Sequence, residues 1–248
     1  MTRKGVFSFF YPRREKKIVL DCFTSDKYAY EYAPIIRGPK SFPEWWKKLP
    51  TNDVNSLDFS NIKNMKLCYG FVELFKRSIV IPSWTDIYYK VTPENGYTYQ
   101  YTSGNPPEEH AAKQYQGGFQ NYYHSKLCSP WYLRETTGVH FTFIAASWNL
   151  ENYDFIVPPG CVEYRVNNGS NVNIMIPKKK HEYSFFIPTA TPLVFLIPLI
   201  DNETKIELKT HLVSNEEITV MRNNVSHPFK GIFPLVRMKE RENKCPFG

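Results

Sequence analysis

The sequence predicts a mainly β fold, a jelly-roll or double-stranded β-helix-like sandwich with a few short helices and an irregular Pro/Trp-rich N-terminal segment. Three observations carry this reading. Aromatic residues fill 16% of the 248 positions, with 17 Tyr and 18 Phe, and such side chains favour strands. The 19 Pro and 12 Gly supply turns rather than long helices. Short apolar runs recur between turn signals at roughly eight-to-twelve-residue spacing, the pattern of sandwiches and barrels. The length suits one large β domain or two small ones. The division expected is a strand and wrapping segment over 1–60, a jelly-roll-like domain over 61–213, and a short helix with a basic tail over 214–248.

The elements follow in chain order. Lys17–Phe23 (KIVLDCF) reads as a first strand. The segment YAPIIRGPKSFPEWWKKLP crosses the surface, with Pro43 opening a short helix that holds Trp45 and Trp46. Asn52–Asn61 is polar and reads as a loop, and Cys68–Lys76 as a short helix with Phe71, Leu74 and Phe75 at helical spacing. Ser78–Val91 (SIVIPSWTDIYYKV) starts as an apolar strand, meets Pro, Ser, Trp, Thr and Asp in a row, and resumes as a strand. Neither of its period-two faces is cleanly apolar. Pro82 cannot donate to a ladder, so it marks an edge or a bulge.

Tyr97–Tyr101 alternates and would pair back as a hairpin, and Pro106–Tyr115 reads as a short helix. CSPWYLRETTG is expected as a turn into the strand Val139–Ser147. Strands then follow at Tyr153–Val157, Cys161–Asn167, Asn171–Ile176, Tyr183–Ile187, Leu193–Leu199 and Lys205–Val213. Ser214 and Glu217 form a possible capping box for a last helix.

The net charge of +7 and pI near 9.0 permit nucleic acid, acidic surfaces or anionic glycans as partners without selecting one. The positive residues cluster at Arg13–Lys17, at Lys178, Lys179 and Lys180, and at Arg237–Lys244, where solvated termini and loops are the plainer account. Five scattered cysteines with no CxxC pair fit a reducing compartment rather than a disulfide framework. No secretion signal is visible, so the sequons at Asn168, Asn202 and Asn224 read as chance, and the expected location is a virion or the host cytoplasm. The most apolar run, Ser184–Ile200, is broken by three prolines and falls short of the ~20 residues of a membrane span.

Tests for chemistry yield little. A cupin-type iron site needs a His-x-Asp/Glu pair on one strand, and none of the six histidines has an acid two positions on. Asp86, His140 and His211 could still converge at a barrel mouth. Cys128 lies near His124 and His140 in sequence but in no elbow motif, and Asp86 could pair with Glu163 or Asp154 as glycosidase carboxylates. No Gly-rich phosphate loop is present. Stacking platforms for single strands or sugars could draw on Trp84, Tyr88, Tyr99, Tyr101, Tyr122, Tyr123, Trp131 and Trp148, although such aromatics more often fill cores or subunit interfaces. The pocket candidates are therefore Trp84, Asp86, Tyr88, Trp131, His140 and His211. No metal, cofactor or catalytic residue is assigned.

Several stretches read together: FPEWWKKLP (42–50), IKNMKLCYGFVELFKRSIVIPSWTDI (62–87), SPWYLRETTG (129–138), YDFIVPPGCVEY (153–164) and TPLVFLIPL (191–199). Their order resembles a family of unknown function from tailed bacteriophages, notably T4-like phages of marine bacteria and cyanophage type, and from some bacteria. The chain departs from that pattern at Tyr69, where proline is expected, and at Ala190, where glycine is expected. The resemblance implies a phage setting and a β-rich domain and transfers no catalytic residue. The functional expectation is a non-enzymatic virion-associated structural or accessory protein that contacts itself or other phage proteins. The alternatives are a cupin-like metal enzyme and a glycan- or nucleic-acid-binding module.

Overall fold

The first strand becomes the centre of a sheet. The computed structural model describes residues 16–50, 53–54, 61–62, 64–109, 118–150, 153–201 and 204–225. In it β1 (Lys17–Thr24) runs parallel to β16 (Lys205–Leu212) on one side and antiparallel to β10 (Tyr132–Arg134) on the other. Its alternating burial puts Ile18, Leu20, Cys22 and Thr24 inward. The N-terminal segment thus contributes to the same core as the rest of the chain. Asp26 caps α1 (Lys27–Tyr32) by accepting from the Ala29 amide at 3.0 Å.

The other antiparallel pairings are nested. β5 (Ile79–Pro82) pairs with β15 (Pro192–Pro198), β6 (Ile87–Thr92) with β14 (Tyr183–Ile187), β9 (Tyr122–Leu127) with β13 (Val172–Pro177), and β11 (His140–Ala145) with β12 (Gly160–Glu163). This is the order of one long hairpin wound on itself. β11 also pairs with β15, and β2 (Ile36–Arg37) with β5, which makes a five-stranded sheet β12-β11-β15-β5-β2. β7 (Gly96–Tyr101) pairs with β6 as the expected hairpin. The sheet β14-β6-β7 packs on β13-β9-β8, with β8 being Glu108–Glu109. Tyr89 and Ser125 share a 2.8 Å hydroxyl hydrogen bond across that interface, and the Tyr97 hydroxyl donates to the His124 carbonyl at 3.3 Å. The architecture is a mainly β sandwich of largely antiparallel sheets, with the parallel β1–β16 pair as the exception.

The five-stranded sheet is covered on both faces, which explains the missing alternation in Ser78–Val91. Ile79 and Ile81 enter the main core, while Val80 points to the other side with Phe195. There they meet a helical layer: α2 (Glu44–Lys48) and α3 (Tyr69–Arg77), whose Phe71 and Phe75 are buried. Phe42 stacks on Trp46 at 4.0 Å and on Phe75 at 4.5 Å. The layer closes tightly at Gly38, where a Cβ would lie 2.1 Å from the Phe75 carbonyl oxygen, so only glycine fits.

Four expectations are corrected. Ser78–Val91 is two strands in two sheets rather than one; the bulge expected at Pro82 is present, with its extra residue on β15, between Pro192 and Val194, opposite the step from Pro82 to Ile81. Within Asn52–Asn61 the described ends pair as β3 (Asp53–Val54) with β4 (Asn61–Ile62). Glu108 and Glu109, expected as helix, pair with β9, and 110–115 lie outside the described residues. Of Tyr153–Val157 only Ile156 makes a bridge, to Met175. The capping box forms, with the Ser214 amide donating to Glu217 at 2.9 Å and the Glu217 amide to Ser214 Oγ at 3.2 Å, opening α4 (Asn215–Val225). Among the described residues no helix is long and apolar enough to cross a membrane.

Candidate functional site

The PSWTD stretch is the corner at which the chain changes sheets. The Ser83 amide donates to the Thr191 carbonyl and the Ala190 amide to the Ser83 carbonyl, both at 2.8 Å. Asp86 Oδ1 accepts from the Thr189 amide at 2.6 Å and its hydroxyl at 2.9 Å. The Ser103 amide donates to Thr85 Oγ1 at 3.0 Å. Corner 83–86 is therefore tied to corner 188–191, as the nested pairing on either side requires. Trp84 is 2% exposed inside the main core, and Trp131 is fully buried in the same core. Both are packing residues. Tyr88 is exposed on the outer face of β6, directly opposite Phe186 of β14.

The two strand histidines sit apart, each with its own carboxylate. His140, largely exposed, faces Glu163 at 3.6 Å, and Glu163 accepts from Arg165 Nε at 2.7 Å. His211 Nε2 lies 2.8 Å from Asp21 Oδ1 and its ring stacks on Phe23 at 4.7 Å. Among the described residues no three His, Cys, Asp or Glu side chains gather to hold a metal. The glycosidase pairing fares no better, because Asp86 serves Thr189, Glu163 serves Arg165, and Asp154 pairs with Lys179 at 2.8 Å. Cys128 is buried, and burial pushes its thiol up to about 11, so it is protonated at neutral pH.

The lysine cluster divides. Lys178 lies over the Tyr123 ring, Lys179 covers Tyr183 and binds Asp154, and Lys180 is exposed. The basic clusters at 13–14 and 237–244 fall outside the described residues. Asn168 is not a free acceptor for a glycan, since it is buried and its amide donates to the Met221 carbonyl at 2.9 Å, holding α4.

A buried acid went unread in the sequence. Glu135 is 1% exposed, and its carboxylate accepts from the Thr137 amide and hydroxyl, the Gly138 amide at 2.9 Å and the Val139 amide at 3.0 Å. Burial works against its charge, but these donors outweigh it and lower its pKa. Gly138 takes φ +84° in this turn. The carboxylate organises the RETTG turn below Trp131 and has no open side for chemistry.

An aromatic-lined cleft of about 580 Å³ lies elsewhere, between α2, the turn Ser147–Asn149 and β14. Trp46 points into the helical layer and donates Nε1–H to the Met65 carbonyl at 3.0 Å. Neighbouring residues on a helix point about 100° apart, so Trp45 is left facing the cleft lip. Trp45 and Trp148 lie 6.2 Å apart, both set against Phe71 at 5.7 and 5.1 Å. Trp148 is 44% exposed and Phe186 49%. Polar groups ring the aromatics. Glu44 pairs with Lys47 at 2.6 Å, and that hydrogen bond lowers its pKa, so it is ionised at neutral pH. Asn149 Nδ2 donates to the Ser41 carbonyl at 3.0 Å, which leaves its buried Oδ1 without a hydrogen-bond partner. Of the cleft residues the sequence had marked Trp148 as a stacking candidate and Asp154 as a possible glycosidase carboxylate, without bringing the two together. The adjacent tryptophans were the readable signal: both rings pack on Phe71, and Trp45 also lines the cleft.

Fold and cleft together define a mainly β sandwich with an open aromatic, carboxylate-edged groove and no assembled catalytic set among the described residues. No family model matches the chain, and no curated protein matches it.

Proposed function

We propose that this chain is a non-enzymatic bacteriophage structural or accessory protein, associated with the virion and built on a jelly-roll-like wound hairpin. The nested strand pairing supports the jelly-roll reading. The phage setting rests on the motif order of residues 42–200. The observation that carries a contact role is the β14-β6-β7 sheet. Among the described residues β7 is one of its two edges, and Tyr88 and Phe186 on one face and Tyr99 and Tyr101 on the other are each more than a third exposed. Aromatic side chains are enriched at protein interfaces, and an unpaired edge offers backbone groups to a further strand. The partner that fits is a second copy of this chain or a neighbouring particle protein that adds to the β7 edge.

The test is quantitative mass spectrometry of purified particles, joined to light scattering of the isolated chain. A fixed copy number per portal ring, with self-association weakened by Tyr101→Lys, is the expected result. A monodisperse monomer absent from purified virions would overturn the proposal.

A further inference from the structure

We infer that the cleft between α2, the Ser147–Asn149 turn and β14 is a binding site for a neutral oligosaccharide. A sugar ring presents two kinds of surface, an apolar C–H face and an edge of hydroxyls that both donate and accept. Its complement is a rigid aromatic wall beside acceptors. Trp148 and Phe186 are each nearly half exposed, and Trp148 and Trp45 are held in place by Phe71 behind them. Glu44 and Asp154 are acceptors on the rim.

Charge selects among ligands that stack on aromatics. The lining carries two carboxylates and no cation. A phosphate backbone finds no lysine or arginine in the lining, and the neighbouring Lys47 and Lys179 are already paired with Glu44 and Asp154, which disfavours single-stranded nucleic acid despite the net charge of +7. A quaternary ammonium would meet aromatics and acids, but each acid is already paired, Glu44 with Lys47 at 2.6 Å and Asp154 with Lys179 at 2.8 Å. Paired carboxylates still accept from hydroxyls. The site shares Phe186 with the contact sheet, but Trp45 and Trp148 lie outside that sheet, so the Trp148 variants test it independently of a particle role.

The experiment is isothermal titration calorimetry of the full chain with cellohexaose, maltohexaose and N-acetylchitohexaose, and with choline chloride as the cationic probe. Saturable binding of at least one hexasaccharide is expected. Trp148→Ala should weaken it roughly tenfold or more, and Trp148→Phe should restore most of it. Raising salt from about 0.05 to 0.5 M should change the affinity less than about twofold, since no counterions are released. Thermal melting of both variants separates lost binding from lost folding. No heat with any hexasaccharide up to about 10 mM, equal affinity in Trp148→Ala, or binding of choline in place of sugar would each overturn the assignment.

Discussion

The two sides of the β12-β11-β15-β5-β2 sheet use the same residue types to opposite ends. On the main-core side Trp84 and Trp131 are sealed, and even their indole N–H groups lack partners in the protein. On the helical side Trp45 and Trp148 lean on Phe71 and keep exposed surface. The main core is enclosed by four sheets, whereas the helical layer consists of five- and nine-residue helices too short to cover every ring. Enclosure, not residue type, separates a packing tryptophan from one available to a ligand.

Substitution of one tryptophan on each side sharpens that contrast most. Trp131→Ala opens a cavity in the sealed core and should cost about 3–5 kcal/mol. Trp148→Ala removes a half-exposed ring and should cost under about 1 kcal/mol. Urea unfolding of both variants decides it, and equal losses would erase the distinction between the two sides.

The next effect belongs to the turn beneath Trp131. Glu135→Ala strands the Thr137, Gly138 and Val139 amides and should destabilise by about 2–3 kcal/mol. The pH dependence has a definite sign. Because the folded carboxyl titrates below its unfolded value, its stabilisation is present above the ordinary glutamate range and is lost as pH falls through the folded pKa. The wild-type advantage over Glu135→Ala should therefore shrink in acid, as measured by denaturant midpoints across pH.

The smallest effects are gains. Ala190 adopts φ +67° in the corner clamped by Asp86, a conformation costly for a side chain. Ala190→Gly should add about 1 kcal/mol and raise the melting temperature by about 2–4 °C. On the helical side Tyr69 is the first residue of α3, 76% exposed, after an extended Cys68. Tyr69→Pro should add about 0.5 kcal/mol, because proline suits that position. These are the two positions at which the sequence reading expected proline and glycine, and in both the expected residue is the easier fit. Differential scanning calorimetry of each variant measures the gain, and a loss at Ala190→Gly would mean that the corner relies on the methyl group.

Local chemistry was the readable part. The β class, the β6–β7 hairpin, α3 with its buried Phe71 and Phe75, and the Ser214–Glu217 box all follow from nearest neighbours in sequence, and the structure contains each of them. Where a segment's partner lies far along the chain, reading failed. Glu108 and Glu109 look like a helix start until β9 takes them into a ladder. From sequence the PSWTD stretch could be a site or a strand bend, and corner 188–191 decides for the bend by claiming its backbone and its aspartate. His140 and His211 looked convergent only while their strands had no assigned neighbours; one pairs with β12 and β15, the other with β1.

By itself the sequence determined that this chain forms short strands around an aromatic-rich interior, because propensity and turn chemistry act over a few residues. Only the tertiary structure decided which aromatics are sealed, which acid is buried in a turn, and that Trp45, Trp148, Asn149, Asp154 and Phe186 share one cleft. Those residues come from segments separated by about a hundred positions at the start and thirty at the end. Their juxtaposition depends on long-range strand pairing, which no local pattern encodes.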